Sequence, residues 1–145
     1  WTEDKMQHVN VYTASGIRSP RAGSGTAGYV LEMETEKGPA TFTKTEEILN
    51  ATANQSELRI LNMALARLTK KCSLTIYTES RYVAAGIEEL SRWKENGWKT
   101  SRGTDVANKE EWQETAELLN GHAVSVTMEN HEYRAWLRRE VTRKE

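Results

Sequence analysis

The sequence predicts an α/β fold whose strands and helices follow one another in the order βββαβααβα. The first third of the chain alternates apolar and polar residues in short runs, which is the pattern of strands. Apolar residues at 3- and 4-residue spacing follow, as in an amphipathic helix. A short apolar strand then lies between two helical segments, and such a strand is typically central and parallel to a neighbour. The predicted strands therefore form one mixed sheet.

The first three strands are predicted over residues 9–13, 29–35 and 40–44. Residues 19–28, which are rich in Gly, Ser and Ala, form the first turn, and residues 36–39 form the second. Strands joined in this way make an antiparallel meander. Residues 1–7 are polar and irregular, so we expect a disordered tail there and a single domain over residues 8–145.

The segment that opens the first helix combines a capping signal with a carboxylate on the buried side. Four leucines between residues 58 and 68 mark the apolar stripe of a helix that runs to about residue 69. Thr52 with Gln55, or Asn54 with Glu57, fits the capping box of a helix start. Glu57 lies one turn before Leu61, where a carboxylate is costly unless a partner or a metal ion compensates its charge. The two interpretations of Glu57 are a helix cap and a metal ligand.

The later elements are a strand over residues 74–77, helices over 80–93, 109–119 and 131–141, and a strand over 123–128. Gly86 is expected to break or bend the first of these helices, because glycine weakens a helix interior. A polar loop over residues 98–108 follows the turn at Asn96-Gly97. Trp112 is expected to anchor its helix in the core.

Composition and charge are those of an ordinary globular protein. Charged residues make up 28% of the chain and hydrophobic residues 37%, and no apolar run approaches the ~20 residues that cross a bilayer. The single cysteine, Cys72, excludes an internal disulfide and suits a reducing compartment, so we expect a cytoplasmic protein. We also expect a monomer. The net charge is −1, but four basic residues against one acid between Arg92 and Arg102 form a patch that suits phosphates.

Two carboxylates are expected to meet at the end of the central strand. Glu79 follows the strand at 74–77 and opens the next helix, and Glu57 lies on a helix packed over the same sheet. Ligand sites of α/β sheets lie at the carboxyl ends of central strands. Two carboxylates there suit a hard divalent cation, which prefers oxygen ligands. The alternative is that Glu79 only stabilises the dipole of its helix.

Six short motifs then stand in order along the chain. They are Val11-Tyr12-Thr13-Ala14-Ser15-Gly16, Gly25-Thr26-Ala27-Gly28-Tyr29-Val30, Thr52-Ala53-Asn54-Gln55-Ser56-Glu57-Leu58, Tyr77-Thr78-Glu79-Ser80-Arg81-Tyr82-Val83, Trp93 with Asn96-Gly97-Trp98-Lys99-Thr100, and Val106-Ala107-Asn108 ahead of Trp112. With these motifs the chain resembles the ribonuclease H family, of the bacterial single-domain type, from about residue 9 to residue 141. The resemblance implies a ribonuclease H-like five-stranded mixed sheet with helices on both faces.

The resemblance also implies a metal-dependent endonuclease that cuts the RNA strand of RNA–DNA hybrids with Mg²⁺ or Mn²⁺. Glu57 and Glu79 match two of the acidic ligands, so both are assigned as catalytic and metal-binding residues. The family carries Asp where this chain has Ala14, and a shorter Asp where it has Glu79. The last helix lacks the family's Asp, because the matching register falls on Ala135 or Arg134.

Seven residues match positions through which the family binds its substrate. Asn54 matches a residue in the minor groove of the hybrid, and Thr52 matches a contact to a DNA phosphate. Indole faces against sugars, with cations at phosphates, suit sequence-independent binding of an A-like hybrid. The assigned residues are Thr52, Asn54, Arg81, Trp98, Lys99, Arg102 and Asn108.

Two functions of different classes follow. The first is a ribonuclease H-type endonuclease, with low or absent activity because Ala14 replaces the expected acid. The alternative is a non-catalytic module that binds RNA–DNA hybrids or other nucleic acids, either as a native pseudo-enzyme or as an engineered inactive variant. A third class, a structural or protein-interaction domain, is compatible with the fold. The retained Thr52, Asn54, Trp98 and Asn108 argue against it.

Overall fold

A computed structural model of the protein describes residues 6–142. The described elements follow the predicted order βββαβααβα. The tail expected over residues 1–7 falls mostly on residues 1–5, which lie outside the described residues, and β1 begins at Gln7. The elements are β1 Gln7–Ser15, β2 Gly23–Thr35, β3 Gly38–Ala51, α1 Ala53–Leu65, β4 Cys72–Tyr77, α2 Arg81–Glu95, α3 Lys109–Leu119, β5 Ala123–Thr127 and α4 Arg134–Thr142.

The five strands form one mixed sheet in the order β3-β2-β1-β4-β5, which confirms the predicted fold class. β1 pairs antiparallel with β2 and parallel with β4, and β4 pairs parallel with β5. Tyr12 of β1 lies opposite Tyr77 of β4, so Ala14 and Glu79 each follow that pair by two residues. The carboxyl ends of the two central strands therefore meet at the same edge of the sheet.

β2 and β3 are longer than the sequence pattern predicted. β2 begins at Gly23 rather than at residue 29, and β3 continues to Ala51 rather than ending at residue 44. Their antiparallel register runs without a shift from Gly25 to Thr35. Backbone hydrogen bonds between β2 and β3 therefore keep residues in the strands even where apolar and polar side chains do not alternate. β3 is an edge strand with a mostly exposed surface, and it therefore lacks the apolar face by which a strand is recognised.

α1 begins with the Thr52 form of the predicted capping box. Thr52 Oγ1 accepts the N–H of Gln55 at 3.1 Å, and Gln55 Oε1 accepts the N–H of Thr52 at 3.0 Å. α1 ends at Leu65 rather than near residue 69, because the N–H groups of Arg67 and Leu68 bond to carbonyls three residues back. Leu68 lies past the end of the helix and still packs against the core.

Helices cover both faces of the sheet, as the resemblance implies. On one face α1 buries Leu58 and Leu61 completely against the sheet, and burial of each such side chain contributes roughly 1.5–3 kcal/mol. On the other face α4 packs Leu137 and Val141 against Ala14 of β1. Within residues 6–142, no helix has the length and apolar character needed to cross a membrane.

We predicted a break or a bend at Gly86; α2 is one continuous helix, so the break is wrong. Gly86 is buried beneath the ring of Trp112, and a Cβ at Gly86 would lie 2.1 Å from Trp112 Cζ2. Trp112 is fully buried and donates its Nε1 hydrogen to the hydroxyl of Tyr82 at 3.0 Å, which confirms its role as a core anchor. Glycine therefore allows α2 to approach α3 closely and does not interrupt the helix.

A buried carboxylate joins the sheet to the segment that precedes α4. Glu32 of β2 is 7% exposed and accepts hydrogen bonds from the hydroxyls of Tyr133 at 2.6 Å and Tyr12 at 2.9 Å, and from Asn10 Nδ2 at 3.0 Å. Burial raises the pKa of Glu32, but these hydrogen bonds outweigh burial and leave the pKa below its usual value. The charged carboxylate thus fixes the start of α4 against β1 and β2.

We expect Gly86→Ala to lower the free energy of unfolding by about 1–3 kcal/mol, because the added methyl group overlaps the Trp112 ring. This loss opposes the helix propensity of alanine, which favours the substitution by about 1 kcal/mol. Urea unfolding followed by circular dichroism measures the change. Gly23→Ala is the matched control, since a Cβ there meets no described atom within 4 Å. Equal stability of the two variants would contradict the packing role of Gly86.

Candidate nucleic-acid interface

A cleft of about 430 Å³ opens at the carboxyl ends of β1 and β4, between α1, α2 and α4. It contains the predicted site residues Asn54, Glu57, Glu79 and Arg81. It also contains Arg18, which lies in a stretch without acidic residues that suits phosphates, and two arginines of α4 to which the sequence pattern assigned no function. The charged and polar residues of this central cleft are Arg18, Asn54, Glu57, Glu79, Ser80, Arg81, Tyr82, Arg134 and Arg138.

Glu57 lies in the central cleft as a buried carboxyl group that is not used as a helix cap. Thr52 and Gln55 form the capping box of α1, whereas Oε1 of Glu57 is buried and has no hydrogen-bond partner among the described residues. Burial raises the pKa of Glu57 to about 7; Arg138 and Arg18 oppose this shift, and the neighbouring Glu79 adds to it. Glu57 is therefore protonated in a large fraction of molecules at neutral pH.

Glu79 follows β4 and is held by two arginines of α4. Arg134 donates Nε–H to Oε2 at 2.9 Å, and Arg138 donates an Nη2 hydrogen to Oε1. Burial raises the pKa of Glu79, but the hydrogen bonds and charges of Arg138 and Arg134 outweigh it and hold the pKa below its usual value. Ser80 provides the side-chain cap of α2. Glu79 is thus an ionised carboxylate with a guanidinium group on each oxygen.

Arg138 also ties α4 to the end of β1, next to Ala14. Its Nη1 group donates to the backbone carbonyl of Ser15 at 2.9 Å. Ala14 is 2% exposed, and its methyl group lies in an apolar cluster with Leu137 and Val141 of α4. At the position where the resemblance implies a metal-binding Asp, this chain therefore has an apolar contact with the last helix.

The donor atoms of the central cleft do not fit the Mg²⁺ that the resemblance implies. Mg²⁺ takes six oxygen ligands in near-ideal octahedral geometry, but residues 6–142 contain no group of three or more His, Cys, Asp or Glu side chains that could hold a metal ion. Arg134 and Arg138 occupy both oxygens of Glu79, and burial raises the pKa of Glu57 to about 7, so this carboxyl group is protonated in a substantial fraction of molecules at neutral pH. Metal binding by Glu57 and Glu79 stays a prediction, and it requires the arginines to move away.

Three of the predicted nucleic-acid contacts lie at the start of α1 and α2. Asn54 and Arg81 line the central cleft and are exposed. Thr52 directly precedes α1, and its hydroxyl already accepts the N–H of Gln55. Asn54 and Arg81 are therefore the two of these three whose side chains are free to meet a ligand in the cleft.

The predicted contact Asn108 reaches the edge of the cleft through a tyrosine. Asn108 Nδ2 donates to the hydroxyl of Tyr82 at 2.9 Å, and Tyr82 lines the cleft. The Tyr82 hydroxyl also donates to the backbone carbonyl of Ala107 at 3.3 Å. The end of the loop before α3 is thus held against the start of α2.

The remaining predicted contacts lie in the loop between α2 and α3 and do not line the central cleft. Trp98 is partly buried, and its ring lies 6.5 Å from that of Trp93. Lys99 pairs with Asp105 at 2.5 Å, and Arg102 is exposed. In this loop Trp98 contributes packing, Lys99 is paired with an acid, and Arg102 contributes an exposed positive charge.

Sequence reasoning missed Arg134 and Arg138 as functional residues. Arg134 and Arg138 are four residues apart, which places both on one side of a helix. That spacing was a usable signal, since the resemblance implies that the last helix contributes a side chain to the site. The signal became specific only when α4 was placed beside Glu79.

The raised pKa of Glu57 predicts that the protein loses stability as the pH rises. Its folded pKa of about 7 lies above the value of 4.5 in the unfolded chain, so the folded state binds more protons between these values and the free energy of unfolding falls across the interval. We expect Glu57→Gln to remove this decline, which amounts to about 3 kcal/mol. Urea unfolding from pH 4.5 to above pH 7 measures it.

The control for this prediction is Glu114→Gln on the exposed side of α3. We expect this variant to keep the pH dependence of the unmodified chain, because Glu114 is exposed and does not line the central cleft. If Glu57→Gln and the unmodified chain had the same pH profile, a raised pKa at Glu57 would be excluded.

Comparison with known proteins identifies a family. The family model described as RNase H matches residues 6–131. Ribonuclease H of Francisella philomiragia is 43% identical over 122 residues, which cover 83% of this chain and 77% of that protein. Ribonuclease H of Francisella tularensis subsp. novicida is 46% identical over 77 residues, which cover 52% of this chain and 51% of that protein. The match therefore spans about half the length of the F. tularensis relative.

Solved structures share the fold at low sequence identity. LC9-RNase H1, a type 1 RNase H with the type 2 active-site motif, has a TM-score of 0.74 at 22% identity, over 97% of this chain and 72% of that chain. The RNase H domain of PFV has a TM-score of 0.68 at 19% identity, over 96% and 94%. LC11-RNase H1 in complex with an RNA/DNA hybrid has a TM-score of 0.58 at 20% identity, over 92% and 93%. The sequence matches, together with this common fold, establish that the chain belongs to the RNase H family.

Proposed function

We propose that this protein is a nucleic-acid-binding member of the RNase H family that holds RNA–DNA hybrids without cutting the RNA strand. One observation carries the proposal: Arg134 and Arg138 occupy both oxygens of Glu79, the carboxylate at the end of the central strand. The methyl group of Ala14 meanwhile lies where the family has a metal-binding acid. A two-metal centre needs carboxylates that are free to coordinate.

The hybrid is the proposed ligand because the binding surface is better preserved than the acidic centre. Asn54 and Arg81 are exposed in the cleft, and Asn108 is held at its edge. Exposed Arg102 extends the basic surface along the loop before α3. A protein of similar fold, LC11-RNase H1, has been solved with an RNA/DNA hybrid. These features support binding through backbone and groove contacts, which is how A-like helices are recognised.

A metal-dependent endonuclease is the second candidate, and one observation favours it. Glu57 and Glu79 lie in the same cleft, close enough for the charge of Glu79 to raise the pKa of Glu57. Oε1 of Glu57 is unpartnered among the described residues, so it has capacity for a further contact. Under this proposal a bound substrate would displace Arg134 and Arg138 from Glu79.

We expect the unmodified chain to bind a short RNA–DNA hybrid more tightly than a DNA duplex of the same sequence, with an affinity that falls as salt rises. RNA cleavage in Mg²⁺ or Mn²⁺ is expected to stay at background. Fluorescence anisotropy measures binding, and electrophoresis of labelled RNA measures cleavage. Arg81→Gln should weaken binding, whereas Lys37→Gln, in the exposed turn between β2 and β3, should not.

Two results would contradict this proposal. Equally weak binding of hybrid and duplex DNA at low salt would exclude hybrid recognition. Robust RNA cleavage by the unmodified chain that is lost in Glu57→Ala would establish the endonuclease instead. A contaminating nuclease would keep its activity in that variant.

Restoring an acid at position 14 is expected to create a metal site only when Arg138 is removed as well. Ala14→Asp alone should bind Mn²⁺ weakly. Arg138 donates hydrogen bonds to the Ser15 carbonyl and to Glu79, so it would also pair with the new carboxylate. Ala14→Asp with Arg138→Ala should bind Mn²⁺ at least about tenfold more tightly in calorimetry. Ala14→Asn with Arg138→Ala is the control of equal size without the charge. If the control bound Mn²⁺ as tightly as the Asp variant, position 14 would not be a metal position.

A further inference from the structure

We propose that Arg134 and Arg138 form a phosphate-binding site that takes the place of the metal ions and holds the backbone of a nucleic acid strand without any divalent cation. This inference rests on the proposed function, because it names the group in the central cleft that contacts the bound strand. It goes beyond that function by assigning the contact to guanidinium groups of α4, which no match to the family predicts.

The first argument is the balance of charge in the central cleft. Its guanidinium groups outnumber its carboxylates by two, even when both carboxylates are counted as ionised. A concave surface with this balance attracts phosphate and needs no added cation to do so. The guanidinium groups belong to Arg18, Arg81, Arg134 and Arg138, and the carboxylates to Glu57 and Glu79.

The second argument is the donor capacity of Arg134. Its only side-chain hydrogen bond within residues 6–142 runs from Nε to Glu79, and the side chain is 45% exposed. An arginine carries five N–H donors in a planar fork, so the terminal amino groups of Arg134 are available to an incoming anion. A guanidinium fork binds two oxygens of one phosphate, which an ammonium group does less well.

The third argument is the position of the pair between two cavities. Arg134 and Arg138 line the central cleft and also a second cavity of about 400 Å³ beside His131 and Glu132. Glu79 holds both guanidinium groups in place, so little side-chain entropy is lost when they meet a ligand. A strand that passes from one cavity to the other would bring a phosphate directly over this fixed pair.

The test is hybrid binding by anisotropy at constant ionic strength, in EDTA and in Mg²⁺. We expect affinities in the two conditions to agree within about twofold, because the phosphate contact is made by the protein. Arg134→Gln should weaken binding about tenfold, the effect of one charge-assisted hydrogen bond. It should also reduce the slope of log affinity against log salt by about 1. Arg134→Lys should keep the salt slope of the unmodified chain, because the charge is retained.

Arg139→Gln is the matched control, an exposed arginine of the same helix that lines neither cavity. Arg134 is the primary variant because its side chain is partly exposed, whereas Arg138 also bonds to Ser15 and its loss disturbs the docking of α4. If Arg134→Gln and Arg139→Gln bound equally well, or if binding were lost in EDTA, the arginine site would be overturned while hybrid binding itself stood. If the unmodified chain bound no hybrid, the proposed function would fall first.

Discussion

The ion pairs between Glu79 and two arginines of α4 are the contacts on which the character of the cleft depends. They link the end of the central strand to the last helix, and Arg138 extends the link to the carbonyl of Ser15 at the end of β1. A partly buried carboxylate needs compensating charge. In an acidic metal centre that charge comes from bound cations, whereas here it comes from the side chains of the protein.

The alanine at position 14 and the arginines of α4 are physically consistent. Ala14 packs against Leu137 and Val141, so an acid in its place would enter an apolar cluster beneath α4. With the methyl group there, α4 docks closely and brings Arg138 within reach of Glu79. The fold places the ends of β1 and β4 beside α4, so the side chains at these positions determine the charge of the cleft.

Local sequence patterns predicted much of the fold because local interactions determine it. α3 occupies the residues predicted for it, between Asn108 and Asn120-Gly121, and the capping box at Thr52 needs only residues of its own turn. The predictions were wrong where contacts between residues far apart in the sequence determine the structure. The edge strand β3 is held by its ladder with β2 and not by an apolar face. Gly86 lies inside an unbroken helix, where the Trp112 ring of α3 packs on it.

The sequence by itself determined the order of elements, the place of Glu57 on the buried side of α1, and the absence of an acid at position 14. These follow from periodicity, capping and residue identity, which need no knowledge of distant contacts. Only the tertiary structure decided which charges meet Glu79. Arg134 and Arg138 lie 55 and 59 residues from it along the chain, and no local pattern encodes a contact that exists only once the last helix has packed across the sheet.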